Sequence, residues 1–181
     1  MGRVVPRKRL DLFLDASRKL CDAGWNLSLD VIGGFPFARG LSSVLSEFPY
    51  PERLNYVAHR EREQLPDVYR RATVLIQPSE EENFGSSVSE ALACGTPVIV
   101  GPGNGTRDYV DAGGIMFDKY SSSSVAHALQ MLLAGYDQRE GDLRADARAA
   151  AERHFALDHV ADGLESVLAE AIERATSQPR H

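Results

Sequence analysis

"EEENFGSSVSEALACGTPVIVG", residues 80–101, sets three acidic residues ahead of a glycine, continues as a helix-like run and closes on an apolar strand. The run just upstream, 73–77, is Thr-Val-Leu-Ile-Gln, so the stretch sits inside a strand-turn-helix-strand unit. Both the 73–77 and 97–100 strands are too apolar for a sheet with one wet face, as expected when helices cover both sides. In a right-handed unit of this kind the turn after the first strand lies at the carboxyl edge of the sheet, where open α/β sheets bind ligands. The turn over 79–85 is therefore placed at the functional edge.

The same alternation extends in both directions. Leu10, Phe13, Leu14, Ser17, Leu20 and Cys21 recur at helical spacing before Gly24, which predicts a helix over 10–23. Leu27, Leu29 and Val31 alternate with Ser28 and Asp30 into the Gly33-Gly34 pair, a strand running into a turn. A helix over 38–47, a strand over 54–57 and a helix over 65–71 follow. Beyond the quoted stretch come a short helix at 107–111, a strand at 114–117 and helices near 123–134, 138–154 and 158–175. The fold class is α/β: a Rossmann-like parallel sheet with helices on both faces and a helical C-terminal end. Asp142, Arg144, Asp146 and Arg148 read as a solvated helix face. About nine residues precede the 10–23 helix, so the strand that should feed it is cut short or missing.

At 181 residues the chain is sized for a single domain, 1–181, and 43% hydrophobic with 25% charged residues excludes a disordered chain. A net charge of -6 gives no general field for nucleic acid, although the cluster Arg3, Arg7, Lys8, Arg9 can grip a few phosphates. Cys21 and Cys94 have no metal-ligand spacing and read as reduced thiols, Cys94 as a small core residue. With no membrane span and no cleavable signal, the expected location is the cytoplasm.

The chemistry of the turn follows from its residue types. Gly85 allows close backbone approach or a positive φ, and the helix behind it offers N–H groups at Ser86, Ser87 and Val88 to an anion or hydroxyl. Glu90, in the first helical turn, leans back toward the same edge, and Glu82 stands just before the turn. Ionised carboxylates only accept, so the pair suits a ligand rich in hydroxyl donors, such as a sugar or a ribose. Two other readings stand beside this one. Ser87-Val88-Ser89-Glu90 also fits a capping box, and Glu82 taken alone is an ordinary solvated loop acid.

Taken together, Pro78-Ser79, Glu82-Asn83-Phe84-Gly85, Glu90-Ala91 and Gly95-Thr96-Pro97-Val98 resemble the nucleotide-sugar signature of family 4 retaining glycosyltransferases of the GT-B fold. Glu82 and Glu90 are separated by seven residues, as in that signature. Gly2-Arg3 and Lys8 are similar to its phosphate-binding element, and Gly33-Gly34, 103–105 and Gly113-Gly114 match its glycine turns. The resemblance covers nearly the whole chain and implies the C-terminal, donor-binding domain, with the acceptor domain outside the sequence.

It also implies roles. Glu82 contacts hydroxyls of the transferred sugar, Glu90 those of the ribose, and Arg3 and Lys8 neutralise the diphosphate as the sugar bond breaks, where fixed cations stabilise the transition state. Gly2, Asn83, Phe84, Gly85, Ser86 and Ser87 line the donor, with Phe84 equally suited to anchor the core. Arg7 and Arg9 are read as solvated neighbours, and His59 and Arg60 as surface residues without a base contact. The resemblance implies hexosyl transfer from a nucleoside-diphosphate sugar to an acceptor, with no essential metal, no other cofactor and no protein nucleophile. Any membrane contact would be peripheral, through the missing domain. A stand-alone nucleotide-sugar binding module, or an inactive fragment, is the alternative.

Overall fold

The computed structural model describes residues 5–34 and 41–177. Twelve regular elements alternate through most of it: α1 (Leu10–Asp22), β1 (Leu29–Ile32), α2 (Leu41–Ser46), β2 (Leu54–Val57), α3 (Leu65–Arg71), β3 (Leu75–Gln77), α4 (Ser86–Ala93), β4 (Val98–Val100), β5 (Gly114–Met116), α5 (Ser122–Leu133), α6 (Tyr136–Phe155) and α7 (Leu157–Ser177). Every strand pairing is parallel. β1 runs beside β2 with Leu29 opposite Leu54, and β3, β4 and β5 form a second group with β4 central.

Alternation along β4 explains the two covered faces. Val98 and Val100 point to a core built with Tyr69 of α3, Val88 and Leu92 of α4, and Ala147 and Ala150 of α6. Ile99 points the other way, to Ala16 and Leu20 of α1 and Val125, Ala128 and Leu129 of α5. All three β4 side chains are fully buried, as in a strand sandwiched between helix layers. A third cluster, Leu14, Leu29 and Phe48 with Val44 and Leu54 at its border, ties α1 and α2 to the β1-β2 pair.

Several expectations are refined. The sheet forms as two parallel groups, and a cleft of about 620 Å³ lies between β1 and β3. Leu27 lies ahead of β1 and packs on the core instead of joining the strand. The helix expected over 38–47 is α2 from Leu41, and 38–40 lie outside the described residues. The short helix expected at 107–111 is two 3-10 turns, Arg107–Tyr109 and Asp111–Gly113, because Asp111 takes a left-handed φ of 47° that no continuous helix tolerates.

The charged face of α6 is only partly solvated. Arg144 donates to the Gly95 and Ala72 carbonyls at 3.3 Å, and Arg148 donates to the Ala93 carbonyl. These are orphan acceptors at the C-terminal ends of α3 and α4, where the helix dipole also favours a cation. Gly95 itself takes a left-handed φ of 73°, the conformation that ends a helix in this way.

α7 differs from every other helix. Leu157, Val160, Leu164, Val167, Leu168 and Ile172 recur at helical spacing, and all are exposed. No helix among the described residues is long and apolar enough to cross a membrane.

Arg144→Met keeps an apolar stem and removes the guanidinium from two helix ends. Urea unfolding is expected to report a loss of about 1.5 to 3 kcal/mol, the range for hydrogen bonds to a charged group. An unchanged midpoint would mean that solvent serves those carbonyls equally well.

Candidate functional site

The carboxyl ends of β3 and β4 each open into a loop, and the two loops are zipped together. The Glu82 N–H donates to the Gly103 carbonyl at 3.1 Å, and the Gly105 N–H donates to the Glu82 carbonyl at 2.7 Å, a parallel bridge around Asn104. A Cβ on Gly103 would stand 1.9 Å from the Glu80 carbonyl oxygen, and one on Gly105 would stand 2.0 Å from that of Asn83. Both neighbours are backbone, so only glycine permits this approach. The Tyr120 hydroxyl fastens the same junction: it accepts from the Gly103 N–H at 2.7 Å and lies 3.1 Å from the carbonyls of Ser79 and Glu80. The backbone that carries Glu82 is thereby held on both sides.

The Glu82 side chain is largely buried, at 14% exposure, and forms an ion pair with Lys8. Gln77, the last residue of β3, donates to the Glu82 carboxylate at 3.2 Å and accepts from the Ser87 hydroxyl. Lys8, Gln77, Glu82 and Ser87 thus meet at the N-terminus of α4, three of them, Lys8, Glu82 and Ser87, being residues that the motif reading named. Gln77 was not singled out by that reading. Its signal was a polar residue closing an otherwise apolar strand, Leu75-Ile76-Gln77, at the ligand-binding edge.

The N-terminal segment arrives at the same edge. The Glu80 N–H donates to the Arg7 carbonyl at 2.9 Å. Arg9, expected to be a solvated neighbour, instead pairs with Glu80 and with Asp11 at 2.8 Å, and these contacts hold its left-handed φ of 50°. Gly2 and Arg3 lie outside the described residues.

Other expected roles change. Gly85 has φ −77°, so it is not needed for a positive φ; its missing Cβ makes room for Asn104 and Thr106, whose atoms would stand 3.0 and 3.1 Å away. It is the N-cap residue that precedes α4 and gives no side-chain cap. Of the three helix N–H groups, those of Ser86 and Val88 are used within the turn, by the carbonyls of Phe84 and Gly85. The Ser87 N–H is the one of the three without a backbone partner among the described residues.

Glu90 lies beyond the first turn, fifth in a helix that starts at Ser86, and the capping box with Ser87 does not form. Its carboxylate accepts from the buried Tyr69 hydroxyl of α3 at 2.8 Å. Burial, and then the bond to Glu90, push the Tyr69 hydroxyl far above the ordinary tyrosine range, so it remains a donor at any working pH. Thr96 fixes Tyr69 in turn by donating to its carbonyl at 2.6 Å.

Asn83 and Phe84 are both exposed at the turn. The Phe84 ring meets Phe155 edge to face at 5.8 Å, and Tyr109 packs on Phe155 and His154 behind it. Asp111 completes this buttress, pairing with Arg153 at 2.7 Å and with His154 at 2.8 Å. No three His, Cys, Asp or Glu side chains among the described residues come together to hold a metal.

The family profile for Glycosyl transferases group 1 matches residues 1–154. The chain belongs to the group 1 glycosyltransferases. This glycosyltransferase chain is 35% identical to the D-inositol 3-phosphate glycosyltransferase of Xylanimonas cellulosilytica, with 96% of this chain and 42% of the relative covered. To the enzyme of the same name from Rhodococcus opacus it is 34% identical, over 91% of this chain and 38% of the relative. The chain therefore spans about two-fifths of the length of these relatives. Among solved structures, the sucrose-phosphate synthase of Thermosynechococcus elongatus superposes with a TM-score of 0.81 at 23% identity, over 96% of this chain and 45% of that one. Anabaena HepE in complex with UDP gives 0.78 at 19% identity, over 93% and 48%. The C-terminal domain of a group 1 glycosyltransferase from Francisella tularensis gives 0.74 at 19%, over 87% and 84%. The GT-B Rossmann-like fold is common to them.

Two outcomes check the geometry of the site. Gly105→Ala collides with the Asn83 backbone and is expected to cost about 1 to 3 kcal/mol, the range for overpacking, read by thermal unfolding. Asp111 is the pH-sensitive one: the hydrogen bond from His154 is the main cause that lowers its pKa, so its contribution is present above the unfolded carboxylate range and is lost as pH falls through the folded value. Asp111→Asn, which tolerates the left-handed φ, is expected to cost at most about 1 kcal/mol at pH 7 and nothing once Asp111 is protonated. A deficit that persists at pH 2 would assign the loss to shape instead of charge.

Proposed function

We propose that this domain binds a nucleoside-diphosphate sugar and serves the retaining transfer of its hexosyl group to an acceptor. The observation that carries the reading is the meeting of Lys8, Gln77, Glu82 and Ser87 at the carboxyl edge of β3 and the N-terminus of α4. HepE, solved with UDP and with UDP-glucose, shares the fold and supports the donor class.

In this reading Lys8 chooses between two anions. A diphosphate draws the ammonium from Glu82 and uses it to offset the charge that develops on the departing phosphate. Glu82, held from behind by Gln77, then accepts from hydroxyls of the sugar. Arg3 adds a second cation and Gly2 the close backbone approach. The Ser87 N–H and the α4 dipole add about 0.3 to 1 kcal/mol toward an anion, and Asn83, Phe84, Gly85 and Ser86 line the turn. Glu90 takes the ribose hydroxyls, with Tyr69 as its positioning residue.

No metal is required by this scheme, since protein cations meet the phosphates, and no protein nucleophile is assigned: the acceptor attacks the donor directly, on the face the phosphate leaves. We place acceptor binding in polypeptide outside this chain, given the two-fifths coverage of the relatives. Orientation of two bound reactants contributes about 7 to 11 kcal/mol to such transfers, so the domain alone should bind donor and transfer negligibly. Its free thiols, Cys21 and Cys94, fit a cytoplasmic setting.

Calorimetric titration with UDP-, GDP- and ADP-sugars tests the reading; a folded protein that binds none at millimolar concentration would overturn it. Glu90→Ala is expected to weaken a nucleoside diphosphate and the full donor alike, by roughly ten- to hundred-fold, the value of a charged hydrogen bond. Glu82→Ala is expected to weaken only the sugar-bearing ligand. Equal losses for both ligands in both variants would contradict the divided roles. Tyr69→Phe should follow Glu90→Ala in direction with a smaller loss.

A further inference from the structure

The hydrogen bonds around Glu82 have a direction, and that direction gives the Ser87 side chain a role its place at a helix N-terminus does not suggest. The two donors to the Glu82 carboxylate, the Lys8 ammonium and the Gln77 amide, both reach its Oε2, the amide at 3.2 Å. The Glu82 Oε1 has no hydrogen-bond partner among the described residues. The carboxylate is therefore clamped by one oxygen and free to accept with the other.

The Gln77 amide can be held in one sense only. An ionised carboxylate accepts and never donates, so the amide must turn its Nε2 toward Glu82 and its oxygen away. That oxygen meets the Ser87 hydroxyl, which gives it its one proton. Gln77 is 5% exposed, so an amide group left without a partner there bears its full desolvation cost. The bonds run one way, from Ser87 through Gln77 to Glu82, and join the first turn of α4 to the end of β3.

We propose that the Ser87 side chain is a positioning residue for the sugar end of the donor, acting through Gln77 on Glu82, and that its hydroxyl is not a phosphate ligand. What Glu82 meets in this scheme rests on the donor reading above. The hydroxyl proton is committed to Gln77, so Ser87 offers an anion its backbone N–H alone. When Lys8 turns to the diphosphate, Gln77 is the donor that stays on the Glu82 Oε2, and the free Oε1 keeps its direction toward the sugar hydroxyls. Without the Ser87 hydroxyl, nothing fixes which end of the amide faces Glu82. Turned over, the amide sets its oxygen against the carboxylate, and two acceptors face each other with no proton between them.

Calorimetry on the full chain compares UDP, GDP and ADP with UDP-, GDP- and ADP-glucose for the parent, Ser87→Ala, Ser87→Thr and Gln77→Met. Ser87→Ala is expected to weaken the sugar-bearing ligand by about three- to ten-fold and Gln77→Met by about ten-fold or more, the effects of a neutral and a charged hydrogen bond. Both variants should bind the bare nucleoside diphosphate as the parent does, and Ser87→Thr, which keeps the hydroxyl, should bind both ligands like the parent. Because Ser87 acts through Gln77, adding Ser87→Ala to Gln77→Met should cost nothing further. Equal losses of both ligands in Ser87→Ala would make the hydroxyl a phosphate ligand and overturn the proposal. Losses that add in the double variant, or a Ser87→Ala chain that binds both ligands normally, would overturn it too.

A ligand-free readout separates this proposal from the donor reading. In nitrogen–proton spectra the Gln77 side-chain amide, assigned by its absence in Gln77→Met, should exchange slowly with water in the parent and in Ser87→Thr, and faster in Ser87→Ala. That pattern in a parent chain that binds no donor would overturn the donor reading and leave the relay standing. Equal exchange in all three proteins would overturn the relay.

Discussion

Everything at the carboxyl edge depends on two places where backbone meets backbone without a side chain between. At Gly103 and Gly105 the loop after β4 lies directly on the loop after β3, and the exchange of N–H and carbonyl groups with Glu82 fixes that residue's main chain. Only with the main chain so held can a short, charged side chain be kept at 14% exposure between Lys8 and Gln77. A freely moving loop would instead release the carboxylate to water, where its charge is better solvated.

The site is layered outward from this junction. Tyr120 stands behind the loop pair, Gln77 joins the strand end to both the turn and the helix, and Tyr69 anchors Glu90 from the neighbouring helix. Thr96, in the turn that ends α4, returns to hold α3 by the Tyr69 carbonyl. The Gly-Thr-Pro run thus has a packing role as well as a place in a motif: the Thr96 hydroxyl ties the turn after α4 to the backbone of α3.

The sequence made the elements legible because each is short, periodic and punctuated. The strand at 54–57 and the helix at 65–71 stand where their patterns place them, and the glutamates bracket the α4 N-terminus as their spacing implies. What it hid were the partners. Arg9 and Glu80 are 71 positions apart, Lys8 and Glu82 are 74, and Arg144 reaches a carbonyl 72 positions away. A local pattern describes which face a residue occupies, and it is silent on what the fold brings to that face. Arg144 and Arg148 therefore looked like surface charge while serving as helix caps, and Glu90 matched a capping box while its true partner was a tyrosine on another helix.

α7 bears on how the molecule comes apart. Its apolar stripe faces solvent, so little besides intrinsic helix propensity and a limited contact with α6 keeps it wound, whereas most helices in proteins draw their stability from packing such a face. Glycine at position 163, with nothing near it, weakens it further. Heating should therefore melt the last helix before the sheet. Helix content and core fluorescence would then trace two curves, and a single unfolding free energy would describe neither.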